Sequence, residues 1–596
     1  MKYLLKSIFR NFVRKPATSL INLLGLSISL MLVIILSVYC YSELTTDNFN
    51  KNRERVFLYG LDDHIYTPGV LKEHIDAKVP GVESAVRIGG TWESPVFQAE
   101  NKEPITSDLV FADEDFFKLF TYSFVEGIEA TALKDPLTVV ISKTLSHKLF
   151  GKEPALGKLI KLNNNKSLTV SAVVDEPTAN SCIRFSAVTS IATRKIVQEN
   201  GGEYTEWGWC DFQTFLLLKN GVNADETTKT ILSIIPEETR KDYLNTKLTP
   251  LNKVYFSKFD LFGSVFLVTG DRMKVLILVL VASLVLIIAL INFINISMSQ
   301  WQEKIKQTGV LKVIGAKQYL ILLNTLIESF LFFLAALLIA IQLVNIFSPL
   351  IRNYTGIHFN EKITYSPEFF IVSLIIILIL SSTFTVIPAL RIASSRAVDN
   401  LRKTLKPGKT NFSFRGILVT LQFAIAIVLI AFTLLVQKQV RFGSNNLGFK
   451  QNNIIEIKLT EQLGLKKDVL KNMLMENPSV RKVSFSQFYP SKIVSNWTTQ
   501  IDMKGEKKKI SFDTFCADAD FYDILGIEVV SGKLYSENLA SDKKKLIVNE
   551  AFLREYNIKD PVGVSVTMGM PDEQGFSSEI IGVVKDFHYK PVNLPI

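Results

Sequence analysis

The sequence is poor in the residues that carry most enzyme chemistry. Its 596 residues include only five His, at positions 64, 74, 147, 358 and 588, with no metal-ligand spacing among them. Four Cys in so long a chain exclude a small disulfide scaffold. There is no Gly-x-Ser-x-Gly elbow for a hydrolase nucleophile. A phosphate loop needs four residues between its glycines and then Lys-Ser/Thr. The nearest approaches, Gly151 to Gly157-Lys158 and Gly526 to Gly532-Lys533, have five intervening residues and no Ser or Thr after the Lys. The sequence therefore predicts no catalytic site, no metal site and no cofactor bound by this chain. Charge is missing too, from residues 16–42 and 275–302, runs of 27 and 28 residues.

Those runs decide the class. Length alone suggests roughly four soluble domains. However, about 20 apolar residues suffice to span a hydrocarbon core of about 30 Å. The chain is 48% hydrophobic with a mean hydropathy of +0.23. Five segments qualify as membrane helices: Ala17–Tyr41, Val275–Met298, Leu320–Asn345, Phe369–Leu390 and Gly416–Gln437. In lipid every backbone polar group must be paired within its own segment, so these runs are read as helices. Two long polar stretches, 42–274 and 438–596, are large enough to fold as domains.

Net charge is +10, which first suggests a nucleic-acid partner. Its distribution argues otherwise. Segments 1–16, 299–319 and 391–415 hold 16 Lys and Arg against only Glu303 and Asp399, a net of +14, and the rest of the chain sums to −4. A nucleic-acid footprint needs a basic face on a folded domain. A basic bias confined to short loops instead sets orientation. The expected topology has the N-terminus, the 299–319 loop and the 391–415 linker in the cytoplasm. Residues 42–274, the short 346–368 loop and 438–596 lie outside. Residues 1–16 read as a basic interfacial helix, with Lys2, Lys6, Arg10 and Arg14 opposite Leu5, Ile8, Phe9 and Phe12.

The two outer stretches repeat one another. Phe111-Ala-Asp-Glu-Asp-Phe-Phe-Lys-Leu-Phe120 recurs as Cys516-Ala-Asp-Ala-Asp-Phe-Tyr-Asp-Ile-Leu525. In the same order VVISKTL (139–145) aligns with LIVNEAF (546–552), and VSAVVDE (170–176) with IIGVVKD (580–586). Alternating or apolar runs between Gly-, Pro- and Asn-rich turns predict α+β domains, with mixed sheets and helices on one face. NNNK (163–166) predicts a turn between two strands, and SKTLSHKLFG a short helix ended by Gly151. The fold class is thus a multi-pass α-helical membrane protein with two α+β extracytoplasmic domains and an internal repeat.

Several stretches carry a family resemblance. ELTTDNF (43–49), PGVESAVRI (80–88), FADEDFFKLF (111–120) and DPLTVVISKTLSHKLFG (135–151) resemble the periplasmic core domain of MacB/FtsX-type permeases of ABC systems. INFINIS (291–297) with EKIKQTGVLKVIGAKQYLILLNTLIES (303–329) resembles that family's loop between the second and third helices. LQFAIAIVLI (421–430) with NNLGFKQNNIIEI (445–457) resembles the opening of its second half. The resemblance implies an inner-membrane permease subunit for efflux or mechanotransmission, worked by a separate cytoplasmic ABC ATPase dimer that binds ATP and Mg. A periplasmic adaptor or a second permease copy are the further partners it allows. Long family members have eight membrane helices in a one-plus-three, one-plus-three order. The last three are missing from the second half of this sequence, which is expected to be C-terminally incomplete. The reading from a different class is a non-transporting membrane scaffold or sensor that regulates an envelope protein.

By resemblance the segment that meets the ATPase is 304–317: Lys304, Lys306, Gln307, Gly309, Val310, Lys312, Gly315, Ala316 and Lys317. Physically it is a short basic helix whose Val310, Leu311, Val313 and Ile314 suit a groove on a partner, or else an ordinary basic loop. Many relatives carry an acidic and a β-branched residue where Gln307 and Thr308 stand. In the membrane, Asn292 and Asn295 share a helix face, and Glu328 is the one formal charge within the third helix. Glu328 reads as a structural contact in preference to an ion-transport group. Pro388 reads as a kink or a terminator of the fourth helix. Cys182 and Cys210 lie outside, where a disulfide is chemically allowed.

Overall fold

In a computed structural model of the protein the described residues are 16–61, 65–91, 95–175, 180–197, 206–207, 210–259, 266–314, 317–355, 366–394, 414–459, 461–490, 495–503, 506–536, 540–568, 576–590, 592 and 596. The basic 1–15 segment and residues 395–413 lie outside them. Two compact units form: Met1–Asn48, Ala179–Ser181 and Gly270–Val436 make one, and Phe49–Thr178, Cys182–Thr269 and Gln437–Ile596 the other.

The five apolar segments are helical. The helices run Pro16–Leu44, Arg272–Val313, Gln318–Thr355, Pro367–Ser394 and Phe414–Asn445. Four contain a stretch long and apolar enough to cross a membrane. In the fourth in chain order the qualifying apolar stretch is the shorter Pro367–Thr383. Lipid tails are as apolar as Leu, so close packing must hold such helices together. Small residues make that possible: Ala336 and Ala340 are fully buried beside Phe333, and Phe293 meets Phe333 edge-on at 4.7 Å between ring centroids. Leu26, Leu30 and Ile377 complete this core from the first and fourth helices. The Gly416–Asn445 stretch buries none of its most apolar window.

Residues 56–250, within the first stretch expected to lie outside, build a domain around one large sheet. Its strands are β1 (Val56–Gly60), β2 (Thr67–Pro68), β3 (Val82–Gly90), β4 (Val96–Ala99), β5 (Ile105–Thr106), β6 (Leu109–Ala112), β7 (Phe124–Glu126), β8 (Thr138–Ser142), β9 (Leu159–Leu162), β10 (Lys166–Val174), β11 (Ala187–Ser190), β12 (Cys210–Leu218) and β13 (Lys247–Pro250). The spatial order is β13-β1-β12-β3-β6-β11-β8-β10-β9-β4-β5, with β2 on β12 and β7 on β10. The sheet is mixed, since β8 pairs with β10 and β6 with β11 in parallel. The predicted NNNK turn is present, with Asn163 and Asn164 at φ +49° and +57°, a region Asn tolerates. The SKTLSHKLFG helix runs Lys143–Phe150, capped by Ser142 Oγ on the Leu145 N–H and ended at Gly151.

Helices do not keep to one face as expected. The helix Phe116–Leu119 and Val140 pack on one side of the sheet, while Leu145, Leu149 and Val139 pack on the other. The reason is visible in β8: its Val139, Val140, Ile141 and Ser142 are all buried, as in a strand covered on both faces. Phe116 anchors the first side, with centroids 5.1 Å from Phe117 and Phe120, 5.9 Å from Tyr122 and 5.8 Å from Phe185. Each such ring contributes about 1.5–3 kcal/mol by leaving water. Burial also pushes the Tyr59 phenol up to about 12, its hydroxyl 2.9 Å from Thr246 Oγ1.

Two arginines sit inside this domain. Arg87 holds Asp113 through two bonds, Nε to Oδ2 at 3.0 Å and Nη2 to Oδ1 at 2.9 Å, and donates to the Gly69 carbonyl at 2.7 Å. Arg194 pairs with Asp211, the two side chains being 4% and 9% exposed. The Phe212 ring lies 4.9 Å from the Arg194 guanidinium and 5.7 Å from that of Arg87. Cys182 and Cys210 are not bonded to each other. Cys182 packs with Phe215 and Leu217, whereas Cys210 packs on the opposite face with Leu216 and Leu218.

The second long stretch forms a six-stranded sheet of β14 (Ser495–Met503), β15 (Glu506–Thr514), β16 (Val529–Gly532), β17 (Lys545–Asn549), β18 (Ser565–Met568) and β19 (Phe576–Val584). Its order is β15-β14-β18-β19-β16, with β17 also on β19. Local detail matches the first sheet. β17, the helix Glu550–Tyr556 and β19 form a parallel strand–helix–strand unit, as do β8, the helix Lys143–Phe150 and β10. Asn549 caps its helix on the Phe552 N–H as Ser142 does on that of Leu145. Gly157 donates to the Val170 carbonyl at 2.8 Å, and Gly563 to that of Ile580 at 2.9 Å. Gly127 and Gly532 take positive φ where an added Cβ would meet a neighbouring strand's carbonyl, Ser171 O at 2.5 Å and Ile581 O at 2.2 Å respectively.

Candidate functional site

The segment expected as a short basic helix or a basic loop is mostly a continuation of the second membrane helix. Arg272–Val313 is one helix of 42 residues. At about 1.5 Å per residue it is about 63 Å long, twice the hydrocarbon thickness of about 30 Å. Gly309 does not interrupt it, because a glycine costs a helix only about 1 kcal/mol and no proline is present. Lys304, Lys306, Gln307, Gly309, Val310 and Lys312 therefore lie on this helix. Gly315 and Ala316 lie outside the described residues, and Lys317 starts the next helix by accepting from the Leu320 N–H at 3.1 Å.

The end of that helix presents apolar side chains. Val310, Val313 and Ile314 are 49%, 67% and 77% exposed. Their spacing of three and four residues puts them on one helix face. Tyr319 and Leu320, at the start of the following helix, are exposed as well.

The other end of the helix begins at Arg272. Asp271 caps it through the Met273 N–H at 2.8 Å and places a negative charge at the positive end of the helix dipole. Immediately upstream, Val268 donates to the Cys182 carbonyl at 2.8 Å, and Arg184 to that of Phe266 at 2.7 Å. The first membrane helix ends on residues 180–181. The Asp47 N–H donates to the Asn180 carbonyl at 2.6 Å, Ser42 Oγ donates to Asn180 Oδ1, and Ser181 Oγ to Asp47 Oδ1 at 3.2 Å. Residues 180–181 thus receive the end of the first membrane helix. Nothing in the sequence marked them, because the pairing joins positions more than a hundred residues apart.

Within the bundle, Asn292 faces the first helix, its Nδ2 lying 3.7 Å from where a Cβ on Gly25 would stand. Asn295 is buried, and among the described residues its Oδ1 has no hydrogen-bond partner. Sequence reasoning missed Asn22, Ser27, Ser381 and Thr385, which are also buried. Ser27 returns its hydroxyl to the Leu23 carbonyl at 2.7 Å. Their signal was available: polar side chains inside charge-free runs turn inward. Glu328 is half-buried on the third helix. The fourth helix continues through Pro388 to Ser394, so the proline does not terminate it. Among the described residues no group of His, Cys, Asp and Glu is placed to hold a metal ion.

Residues 19–234 match the family described as MacB-like periplasmic core domain, and residues 279–397 the family described as FtsX-like permease C-terminal. Among solved structures, a domain of a putative permease protein from Porphyromonas gingivalis is similar at 21% identity, covering 34% of this chain and 92% of that one, with a TM-score of 0.29. The periplasmic region of MacB from Actinobacillus actinomycetemcomitans is similar at 13% identity, covering 34% and 90%, with a TM-score of 0.27. The extracellular domain of the noncanonic ABC-type transporter YknZ from Gram-positive bacteria is similar at 15% identity, covering 33% and 99%, with a TM-score of 0.24. No curated protein matches the chain.

Proposed function

We propose that this chain, which belongs to the MacB/FtsX-type family of ABC transporter permeases, transmits the ATP-driven movement of a separate cytoplasmic ATPase to its outer domains. One observation supports this reading above the others. The 42-residue helix Arg272–Val313 is long enough to cross the bilayer and still project several turns, ending in exposed Val310, Val313 and Ile314. A continuous helix resists bending, so displacement of its basic end is delivered along its length to Asp271 and to the residues that precede it in the chain. The first helix is held to Asn180 and Ser181.

The basic segments orient this arrangement with 304–317 in the cytoplasm and the two sheet domains outside, in the inner membrane. ATP and Mg bind at the partner, since the sequence carries no phosphate loop. The two sheet domains are read as a duplication, a reading supported by the likeness of their parallel strand–helix–strand units, helix caps and glycine turns.

The test is to purify the full chain with an ABC ATPase from the same cells and to measure ATP turnover. A stable complex in which the chain changes turnover at least severalfold is expected. Failure to form a complex, with both proteins folded, would favour the scaffold or sensor reading.

A further inference from the structure

One edge of each sheet domain exposes apolar side chains at matching positions. In the first domain Val125 and Leu156 are 48% and 50% exposed, and in the second Val530 and Val562 are 53% and 52% exposed. Ile128 and Leu159 enlarge the first patch, and Val529 enlarges the second. Glu126 joins the two parts of the first patch, because its Oε2 accepts from the Ala155 and Leu156 N–H groups at 2.9 and 2.8 Å. Grouped apolar side chains exposed on a folded domain mark binding sites.

Hydrogen bonds fix the match. The Asp175 N–H donates to the Ser123 carbonyl at 2.8 Å, and the Lys585 N–H to that of Glu528 at 2.9 Å. β7 pairs Phe124 with Val174 and Glu126 with Val173, whereas β16 pairs Val529 with Val584 and Ser531 with Val583. Val125 and Val530 are the residues between. The Val170 N–H donates to the Lys158 carbonyl at 2.9 Å, and the Ile580 N–H to that of Val564 at 2.9 Å. Leu156 and Val562 each stand two residues before those carbonyls. Among the described residues β7 pairs only with β10 and β16 only with β19. Each patch therefore borders a free strand edge. Around the two positions the domains differ: the second has Lys533 in the place of Ile128 and Ser565 in the place of Leu159. The two positions themselves are apolar and exposed in both.

Symmetry, size and charge say what covers them. An isologous contact uses the same patch on both partners. Two like domains on one side of a membrane can bring such patches together about a two-fold axis along the membrane normal. Size favours the same chain over a second copy. A patch on the order of 300 Å² falls short of the about 800 Å² per partner that a stable complex buries. Domains carried by one chain meet at an effective concentration of about 1 mM and need far less area. At the rim, exposed Glu129 follows Ile128, and exposed Lys533 stands in the place of Ile128. A contact between unlike domains thus sets opposite charges side by side.

We propose that the two sheet domains of one chain close on each other through these patches, Val125 meeting Val530 and Leu156 meeting Val562. The proposal names the face that the moving domains present, and it rests on the duplication and the shared outer side of the function proposed above. Closure buries four side chains that are half-exposed here. The small area lets the contact open again, as a moving part requires.

The test is cross-linking of the full chain in nanodiscs that hold one copy, in a C210S/C516S background whose remaining Cys40 and Cys182 are buried. A short bismaleimide is expected to join V125C to V530C and, in a second variant, L156C to V562C. V125C paired with L465C, at a position even more exposed, is expected not to react. Adding L156D and V562D to the V125C/V530C chain should lower its yield about tenfold, the loss that about 1.4 kcal/mol of contact brings. No cross-link at either pair, or an equal yield from V125C/L465C, would overturn the proposal. Cross-links that form only in discs holding two copies would also overturn it and make a second copy the occupant. No arm uses the ATPase, so failure here is distinct from failure of ATPase docking. The duplication fails separately if amide exchange finds β17 and β19 unprotected in the folded chain.

Discussion

Replacing Asp211 with Ala is expected to destabilise the first outer domain by about 3–5 kcal/mol, the range for breaking one side of a buried ion pair. For a domain of this size that lowers the melting temperature by roughly 6–20 °C. Asp211 and Arg194 are nearly inaccessible to water. Without the carboxylate, the guanidinium stays between Phe111 and Phe212, at 5.7 and 4.9 Å from their centroids. Contact with ring faces returns about 0.5–2 kcal/mol, less than the loss. Thermal unfolding of the purified chain checks this. The double variant R194M/D211L removes both charges and should recover most of the stability, because the cost comes from the unpaired charge. Wild-type unfolding of D211A would mean that the site is hydrated.

Introducing V310D and I314D together is expected to abolish activation of the partner ATPase while leaving the chain folded and inserted. Both side chains are exposed, so neither change disturbs packing. In a groove, two apolar anchors replaced by carboxylates lose about 2 kcal/mol each, which weakens docking roughly a thousandfold. Lys317→Ala serves as the comparison. An exposed charge at the rim alters association rate and salt dependence more than affinity, so that variant should stay within about tenfold of wild type. Titrating the ATPase against detergent-solubilised variants and reading ATP turnover separates the two cases. Equal activation by V310D/I314D and the parent chain would remove this face from the coupling mechanism.

Much of the architecture could be read from the sequence because the decisive signals are long and local. A run of 27 or 28 residues without charge has one stable solution in lipid, and the NNNK turn and Gly151 cap are set by backbone preferences of single residues. The helical continuation through 299–313 was harder to see. Charges and Gly309 resemble a loop, yet no residue there costs enough to stop a helix already formed. The helices on both faces of the first sheet had a signal in VVIS (139–142), where consecutive apolar residues leave no face for water. The Arg194–Asp211 pair and the hold of residues 180–181 on the first helix had none. Both depend on contacts between distant positions that periodicity does not encode.

The central claim is that the basic end of the Arg272–Val313 helix faces the cytoplasm and docks an ATPase. Ile314→Cys tests it directly, in a chain whose exposed Cys516 is replaced by Ser and whose Cys40 and Cys182 are buried. The parent chain carrying only the Cys516 replacement reports background. A membrane-impermeant maleimide should label Cys at 314 in inside-out vesicles and not in sealed right-side-out ones, and bound ATPase should block the reaction. Labelling from the outer side, or labelling that bound ATPase leaves unchanged, would contradict the account.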